Sequence, residues 1–446
     1  MVHVLIIGAG TGGMALAHGL RREGISVAVY ERYRTRTDGL HGYRVGINSD
    51  GSRALRKLLP PELFDTFAAT CAKPLTQGTM FTEKLSTVLE LPFPDMSGQP
   101  DSERSVSRMT LRQVLLTGAE GFVHFDKEFT RYEQHDDGTV TAYFADGTSA
   151  TGDLLVAADG TRSRVRQQYL PHAEIVDAGV ISLAGKVPLT EQVRALLPAK
   201  MLRGTSMIFA PRGLFAITHV MEFPWDERGV PKQGAGSTDA ELISRWPGLQ
   251  FDNTRDYILW GVSAATPQLP GDTLTKRGKD IVETAKNLTP TWNPILHRLF
   301  DMSDPGSCFT AAIATSKPVP QWETTTVTLL GDAIHTMTPG RGAGANTALR
   351  DAALLCRKLS DVHHGKRALL DAVREYETKM IDYGFKAVAD SLENQGGDNP
   401  LYKPVIGRTL LAGMRTAMRT ANLFPPVRRK MAAGMLRDRG ADRPED

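Results

Sequence analysis

Cysteine is scarce in this chain. Cys71, Cys308 and Cys356 are the only three in 446 residues, and no two of them form a C-x-x-C pair. That argues against a disulfide scaffold and a cysteine-ligated metal, and it points to a reducing compartment. Long apolar runs are also absent: nothing reaches the ~18 residues of a membrane span. The N-terminal run MVHVLII is too short and too lightly flanked for a signal peptide. A cytoplasmic protein with no membrane span is expected. Charge of one sign is missing too, since 53 Lys+Arg stand against 50 Asp+Glu for a net +3. Over such a length this gives no general field for nucleic acid, and none is expected as a partner. His363 and His364 have no third ligand at metal-site spacing, so no metal is expected. There is no internal repeat or low-complexity segment. What the chain does have is length for two or three domains with buried cores, and glycine clustered where apolar runs end.

Val2 to Ile7 is an apolar, β-branched run of the kind buried on both faces of a parallel sheet. It stops at Gly8-Ala9-Gly10-Thr11-Gly12-Gly13, and MALAHGLRREG then reads as a helix ended by Gly24. Ser26 to Tyr30 is a second strand, closing on Glu31 and Arg32. Glu31 lies 21 residues after Gly10, where a dinucleotide fold places the acid that accepts hydrogen bonds from ribose hydroxyls. Gly8 permits the tight turn, Gly10 lets the backbone approach a pyrophosphate, and Gly13 lets helix and strand pack closely. The helix start at Thr11 offers free N–H groups to the anion.

Two later segments repeat the theme. LLVAADGTRSRVRQ ends a buried strand at Asp159-Gly160. TVTLLGDAIHTMTPGRGAGANTALRDAALLCRKL ends one at Gly331-Asp332, followed by a glycine-rich loop and a helix. Open α/β sheets bind ligands outside the carboxyl ends of their strands. Five Asp-Gly pairs occur; those at Asp38, Asp50, Asp137 and Asp146 read as turns, whereas LLVAA before Asp159 and SRVR after it set that one apart.

With these three motifs in this order, the chain resembles flavoprotein monooxygenases of the p-hydroxybenzoate hydroxylase type, a family that includes aromatic hydroxylases, tetracycline-modifying enzymes and natural-product oxygenases. The resemblance runs to about residue 390 and implies noncovalent FAD. Gly8 to Gly13 matches the ADP-binding motif, and Asp159-Gly160 matches the DG motif tied to FAD and NAD(P)H. Gly331-Asp332 matches the GD motif that holds the ribityl chain. The loop Pro339-Gly340-Arg341-Gly342-Ala343-Gly344-Ala345-Asn346 matches the stretch beside the isoalloxazine, with Ala343 where many members carry glutamine or a bulky residue. SVSRMTLRQVLL resembles the family's R-x-x-L helix, with Arg108 as the FAD contact and Arg112 as its alternative, and GYRVGINSDGS makes Arg44 a further candidate. His335 has a family counterpart but is assigned no acid or base work, and no catalytic side chain is singled out.

The fold expected is α/β: a Rossmann-like FAD-binding domain interleaved with a mixed or antiparallel β-sheet substrate domain, plus C-terminal helices. The FAD-binding domain takes 1–72, 106–172 and 321–365. Strands and a loop of the substrate domain take 73–105, its main part 173–320, and the C-terminal helices 366–440. The tail from Val405 to Arg439 reads as a cover over both domains with its arginines in water, a membrane-surface or partner-binding helix being the minor alternative. RGADRPED reads as disordered.

The resemblance implies that NADH or NADPH reduces FAD, and that O2 then forms a flavin C4a-hydroperoxide that hydroxylates an aromatic or polycyclic, natural-product-like small molecule. Such chemistry needs no side-chain nucleophile. The chain is expected to be a monomer or homodimer. A halogenase is disfavoured because W-x-W-x-I-P is absent. Two alternatives keep the same motifs: a flavin-dependent oxidoreductase without oxygen insertion, and an FAD-binding protein that sequesters a reactive intermediate.

Overall fold

The computed structural model describes residues 2–38, 44–94, 99, 101–226, 232, 253–395, 399–403 and 405–440. It is a mixed α/β fold. The strand His3–Ile7 forms where expected, and Val4 to Ile7 are almost completely buried. Fully burying such a side chain is worth about 1.5–3 kcal/mol. The strand sits at the centre of a five-stranded parallel sheet, flanked by Leu154–Ala157 and then Val327–Leu329 on one side, and by Ser26–Tyr30 and then Val123–His124 on the other. The three strands that carry the glycine motifs are therefore adjacent. The helix Thr11–Arg22 follows the first strand, and Gly24 beyond it is left-handed, as a helix stop requires.

A seven-stranded sheet is the second layer. Its order is Phe309–Ser316, Ile175–Pro188, Tyr257–Ala265, Phe215–Met221, Gly204–Phe209, Gln77–Phe81 and Thr87–Pro92. All its pairings are antiparallel except Gly204–Phe209 with Gln77–Phe81. Between the two layers lies a two-stranded ribbon, Arg44–Ile47 against Arg104–Ser107. Asp137-Gly138 and Asp146-Gly147 turn a small antiparallel sheet, as expected.

Asp50-Gly51 is not a turn. It opens the helix Ser49–Leu58, because the Asn48 side chain accepts the Gly51 N–H at 3.0 Å and caps the first turn. The Asp38-Gly39 pair lies partly, and 441–446 wholly, outside the described residues.

The helix Gly344–His363 packs on Thr11–Arg22, and Leu369–Gln395 packs on it in turn. Two more helices, Ile406–Asn422 and Pro425–Asp438, lie over the strand Thr87–Pro92, with Ala432 against Leu89 and Leu91. Not all of their arginines are in water. Arg439 clasps Glu103 with two nitrogens at 2.7 and 2.8 Å, and Arg415 pairs with Glu83, both pairs largely buried.

Candidate active site

The first glycine turn is shaped by its neighbours. Gly8 has φ +108°, and a Cβ there would stand 2.5 Å from the Ala158 carbonyl oxygen. At Gly13 a Cβ would stand 2.3 Å from the Gly8 carbonyl oxygen, so the helix can cross the strand only without a side chain. Gly10 differs. It is the N-cap of Thr11–Arg22 in extended conformation, exposed, and its Cβ would meet nothing closer than 3.9 Å. The protein leaves a cradle there that a methyl group would enter. No side chain caps the helix, so its first-turn N–H groups, Thr11's among them, face that space.

Glu31 closes one end of the cradle. It is buried, with Oε2 accepting the Ala9 N–H at 2.9 Å and Oε1 accepting the Tyr33 N–H at 3.1 Å. Each oxygen keeps a lone pair for a hydroxyl donor. Arg32 is exposed and lies over the Tyr33 ring at 5.4 Å.

The helix Arg108–Leu115 divides the two arginines that sequence left as alternatives. Arg112 stacks on Tyr33 at 5.0 Å, lies 3.9 Å from Glu31 and donates to the Asp38 carbonyl. Arg108, one turn earlier and exposed, is close enough to Asp332 for its charge to act on that carboxyl. Both therefore sit at motif residues, at different ends of the cleft.

Asp159 ends its strand with Oδ2 accepting the Arg164 N–H at 2.9 Å, while Oδ1 is buried with no partner. Burial raises its carboxyl above the usual range. Gly160 beside it is left-handed. The buried Arg166, one of the basic residues that follow the DG motif, donates to the carbonyls of Thr161 and Ala333 and so ties the DG turn to the GD turn.

Gly331 has φ +62° and gives its N–H to Asp351 at 2.7 Å. Asp332 follows. Its carboxylate is open to the cleft, with no hydrogen-bond partner among the described residues, yet protein encloses its other sides. That enclosure raises its pKa, with His335 and Arg108 pulling the other way.

Beneath this turn lies a closed network. Asp351 is fully buried and accepts from His335 Nε2 at 2.7 Å, from Gly331 N and from the Tyr383 hydroxyl at 2.6 Å. Burial pulls the His335 imidazole down, but Asp351 beside it outweighs this and leaves it above its ordinary value. His335 is therefore a support for the turn. The signal for Asp351 was in the sequence: one acid on the otherwise apolar stripe of Leu349, Ala352 and Leu355.

The loop Pro339–Asn346 begins with a tight helical turn at Pro339–Arg341, passes a left-handed Gly342 and enters the helix at Gly344 and Ala345. No side chain caps that helix either. Asn346 spends its amide on the protein, Oδ1 accepting the Asn48 N–H and Nδ2 donating to the carbonyls of Gly46 and Gly342, at 2.8–2.9 Å. Arg44 is likewise occupied. It donates to Ser105 Oγ at 3.0 and 3.1 Å and lies 4.0 Å from Glu103. Burial brings its pKa down to about 10.

In front of the loop opens a cavity of about 800 Å³. Gly340, Arg341, Ala343 and Asn346 form one wall; Met80, Met207, Phe209, Phe215 and Ser263 of the seven-stranded sheet face them. Tyr383, Lys386 and Asp390 of the long helix close a polar side, where Asp390 pairs with Arg341 at 3.1 Å. Leu411, Met431 and Met435 of the C-terminal helices form the roof. The tail thus builds the cavity, a role its sequence did not disclose. On the other side of the loop, a Cβ at Gly344 would lie 3.8 Å from Asp332 Oδ1, so one short segment separates the nucleotide cleft from the cavity. The described residues contain no metal-ligand cluster and no helix long and apolar enough to cross a membrane.

The residues present fit a dinucleotide: an open glycine cradle, two uncapped helix starts and the exposed, unpartnered Asp332. Comparison with known proteins agrees. Residues 1–258 and 302–388 match the family described as FAD binding domain. A dual O-methyltransferase/FAD-dependent monooxygenase of Cercospora beticola is 30% identical over 392 residues, covering 84% of this chain and 44% of that protein. The chain therefore spans less than half the length of that relative. An FAD-dependent monooxygenase of Trichoderma harzianum is 27% identical over 410 residues, covering 88% of this chain and 92% of the relative. Among solved structures, a protein of Photorhabdus luminescens described as an FAD-containing monooxygenase superposes with TM-score 0.75 at 34% identity, covering 88% of this chain and 97% of that one. A Klebsiella pneumoniae protein complexed with FAD and uric acid, 22% identical with TM-score 0.75 over 98% of this chain and 96% of its own, shares the fold.

Proposed function

The chain belongs to the FAD-binding-domain family, and from that premise we propose that it is an FAD-dependent monooxygenase that uses NADH or NADPH and O2 to hydroxylate an aromatic or polycyclic, natural-product-like small molecule. One observation carries the reading: the loop Pro339–Asn346 has Asp332 behind it and the 800 Å³ cavity before it. A flat ring held at the loop reaches both the dinucleotide site and a bulky substrate.

Bound FAD supplies the redox chemistry, namely two electrons from the nicotinamide and one oxygen atom of O2 for the substrate, with the other leaving as water. The protein's own residues do the rest. Glu31 accepts from the ribose, the uncapped N–H groups after Gly10 hold the pyrophosphate, and Asp332 with Arg108 holds the ribityl end. The N–H groups at the start of Gly344–His363 favour negative charge on the ring beside them. Met80, Met207, Phe209 and Phe215 line the cavity and would exclude water, so that reducing equivalents are not lost as hydrogen peroxide. Arg341, Asp390 and Lys386 give the cavity a polar side that orients an oxygenated substrate. The volume favours a polycyclic compound over a single ring. With one nucleotide fingerprint only, the nicotinamide is a transient visitor.

The test is an NAD(P)H oxidation screen over aromatic and polyketide-like compounds in labelled O2, read by mass spectrometry. One labelled oxygen atom in the product is expected. Turnover without label would replace hydroxylation with plain oxidoreduction.

A further inference from the structure

The two C-terminal helices leave both apolar and basic side chains exposed. Nine large hydrophobic residues are exposed among the described residues, and seven of them lie between 405 and 431. Val405, Ile406 and Leu410 open the first helix; Leu423, Phe424, Val427 and Met431 surround its junction with the second. Val405 is 77% exposed, Leu423 75% and Phe424 54%. Folding leaves this patch without a partner, although the same helices bury Leu411 and Ala432 on their inner side.

Between the flanking Asp398 and the exposed Asp438 that ends the second helix, the charge is of one sign. From Asn399 to Arg437 there are eight Lys or Arg and no Asp or Glu, whereas the rest of the chain carries 45 Lys+Arg against 50 Asp+Glu. Arg415 is spent on Glu83. Arg408, Arg419, Arg429, Lys430 and Arg437 are exposed and have no acidic partner among the described residues. A second copy docked through this face would set these cations against one another. Nucleic acid would match the charge but leave the leucines and Phe424 in water.

We propose that this face docks on an anionic lipid surface. Its cations meet the headgroups, Leu423 and Phe424 enter the acyl boundary, and the helices lie along the membrane rather than across it. Met431 gives the arrangement a purpose, since it is partly exposed and also lines the cavity. Docking on this side would bring an apolar substrate dissolved in the bilayer close to the cavity roof at Met431. Docking stands apart from the redox reading. It is measured without turnover, so its failure and the failure of hydroxylation are separate results.

The experiment is cosedimentation of the full chain with vesicles of phosphatidylcholine alone, and of phosphatidylcholine with about 30% phosphatidylserine, in ~0.1 M salt. The chain is expected to pellet with the anionic vesicles, to stay in solution with the neutral ones, and to be released at ~0.5 M salt. Replacing Leu423→Ser and Phe424→Ser together is expected to abolish pelleting, with an unchanged melting temperature because both side chains are exposed. Arg429→Gln with Lys430→Gln is expected to weaken binding roughly thirtyfold, at ~1 kcal/mol per cation. Failure of the wild-type chain to pellet with anionic vesicles overturns the proposal. So does equal binding to neutral vesicles, or pelleting of the Leu423/Phe424 variant like the wild type. Binding to polyglutamate but not to vesicles would give the face to an acidic protein instead.

Discussion

Replacing Gly10 by alanine separates what the fold needs from what the dinucleotide needs. Gly10 has φ −79° and ψ −178°, which alanine adopts freely. Its added methyl would find no protein atom closer than 3.9 Å. Alanine is a poorer N-cap than glycine, so the ligand-free chain should lose about 0.5–1 kcal/mol and no more. The methyl would instead occupy the space through which a pyrophosphate approaches Thr11–Arg22. Holding the anion off the first-turn N–H groups forfeits one or two charge-assisted hydrogen bonds, at about 1.5–3 kcal/mol each. A loss of about 3 kcal/mol weakens FAD binding about 150-fold. Gly13→Ala is the contrasting case. There the methyl would stand 2.3 Å from the Gly8 carbonyl oxygen, and helix and strand must separate to relieve it, at about 1–3 kcal/mol of fold stability. Fluorescence titration of FAD into deflavinated protein gives the affinities, and urea unfolding of the same samples gives the stabilities. If Gly10→Ala bound FAD as the wild type does, the cradle would not be the pyrophosphate site. If it unfolded as readily as Gly13→Ala, the distinction drawn from the two Cβ positions would be wrong.

Three further outcomes follow from particular side chains. Asp332→Ala should strip the purified protein of flavin while leaving its fold intact, since that carboxylate has no hydrogen-bond partner among the described residues; full FAD content in the variant would remove Asp332 from the site. Burial pushes the Glu377 carboxyl up to about 7, against the lowering effect of the Thr324 and Thr328 hydroxyls it accepts from. A raised folded pKa means stability that is intact below the unfolded value near 4.5 and is lost as pH rises through 7. Glu377→Gln should accordingly gain about 3 kcal/mol over the wild type at pH 8.5, and much less at pH 5.5; a gap in urea unfolding that did not change with pH would contradict this. Met207→Trp, filling the sheet side of the cavity, should raise KM for a bulky substrate at least about tenfold at unchanged FAD content, and an unchanged KM would put the substrate elsewhere.

Local signals were the legible ones. Strand, turn, helix and acid from His3 to Glu31 could be read because each is specified by neighbours within a few residues: a β-branched run, glycines, a 3.6-residue stripe. The same holds for the strands ending at Asp159 and Asp332. What stayed hidden depends on contacts between distant segments. Arg439 meets Glu103 and Arg415 meets Glu83, over separations of more than 330 residues. No periodicity marks those pairs, so the tail read as a cover with solvated charges when it is the roof of the cavity. Asp50-Gly51 was misread for the opposite reason. A dipeptide that favours turns was overridden by the Asn48 cap immediately before it.

Resemblance has a limit of the same physical kind. It marks which residues stand at the site but not which still have hydrogen-bonding capacity to offer. Asn346 and Asp332 belong to the same motif region, yet the Asn346 amide is consumed in fastening the loop to Arg44–Ile47, whereas the Asp332 carboxylate faces the cleft unpaired. Arg44 and Arg112 are engaged with Ser105 and Glu31, while Asp159 keeps one buried oxygen without a donor. A buried acceptor left alone costs about 1–3 kcal/mol. Asp159 Oδ1 is closed off from the cleft, so the acceptor that a ligand's hydroxyl can reach is the exposed Asp332 carboxylate. Measuring which oxygens are relieved when FAD binds, rather than which residues match a motif, is what assigns the site.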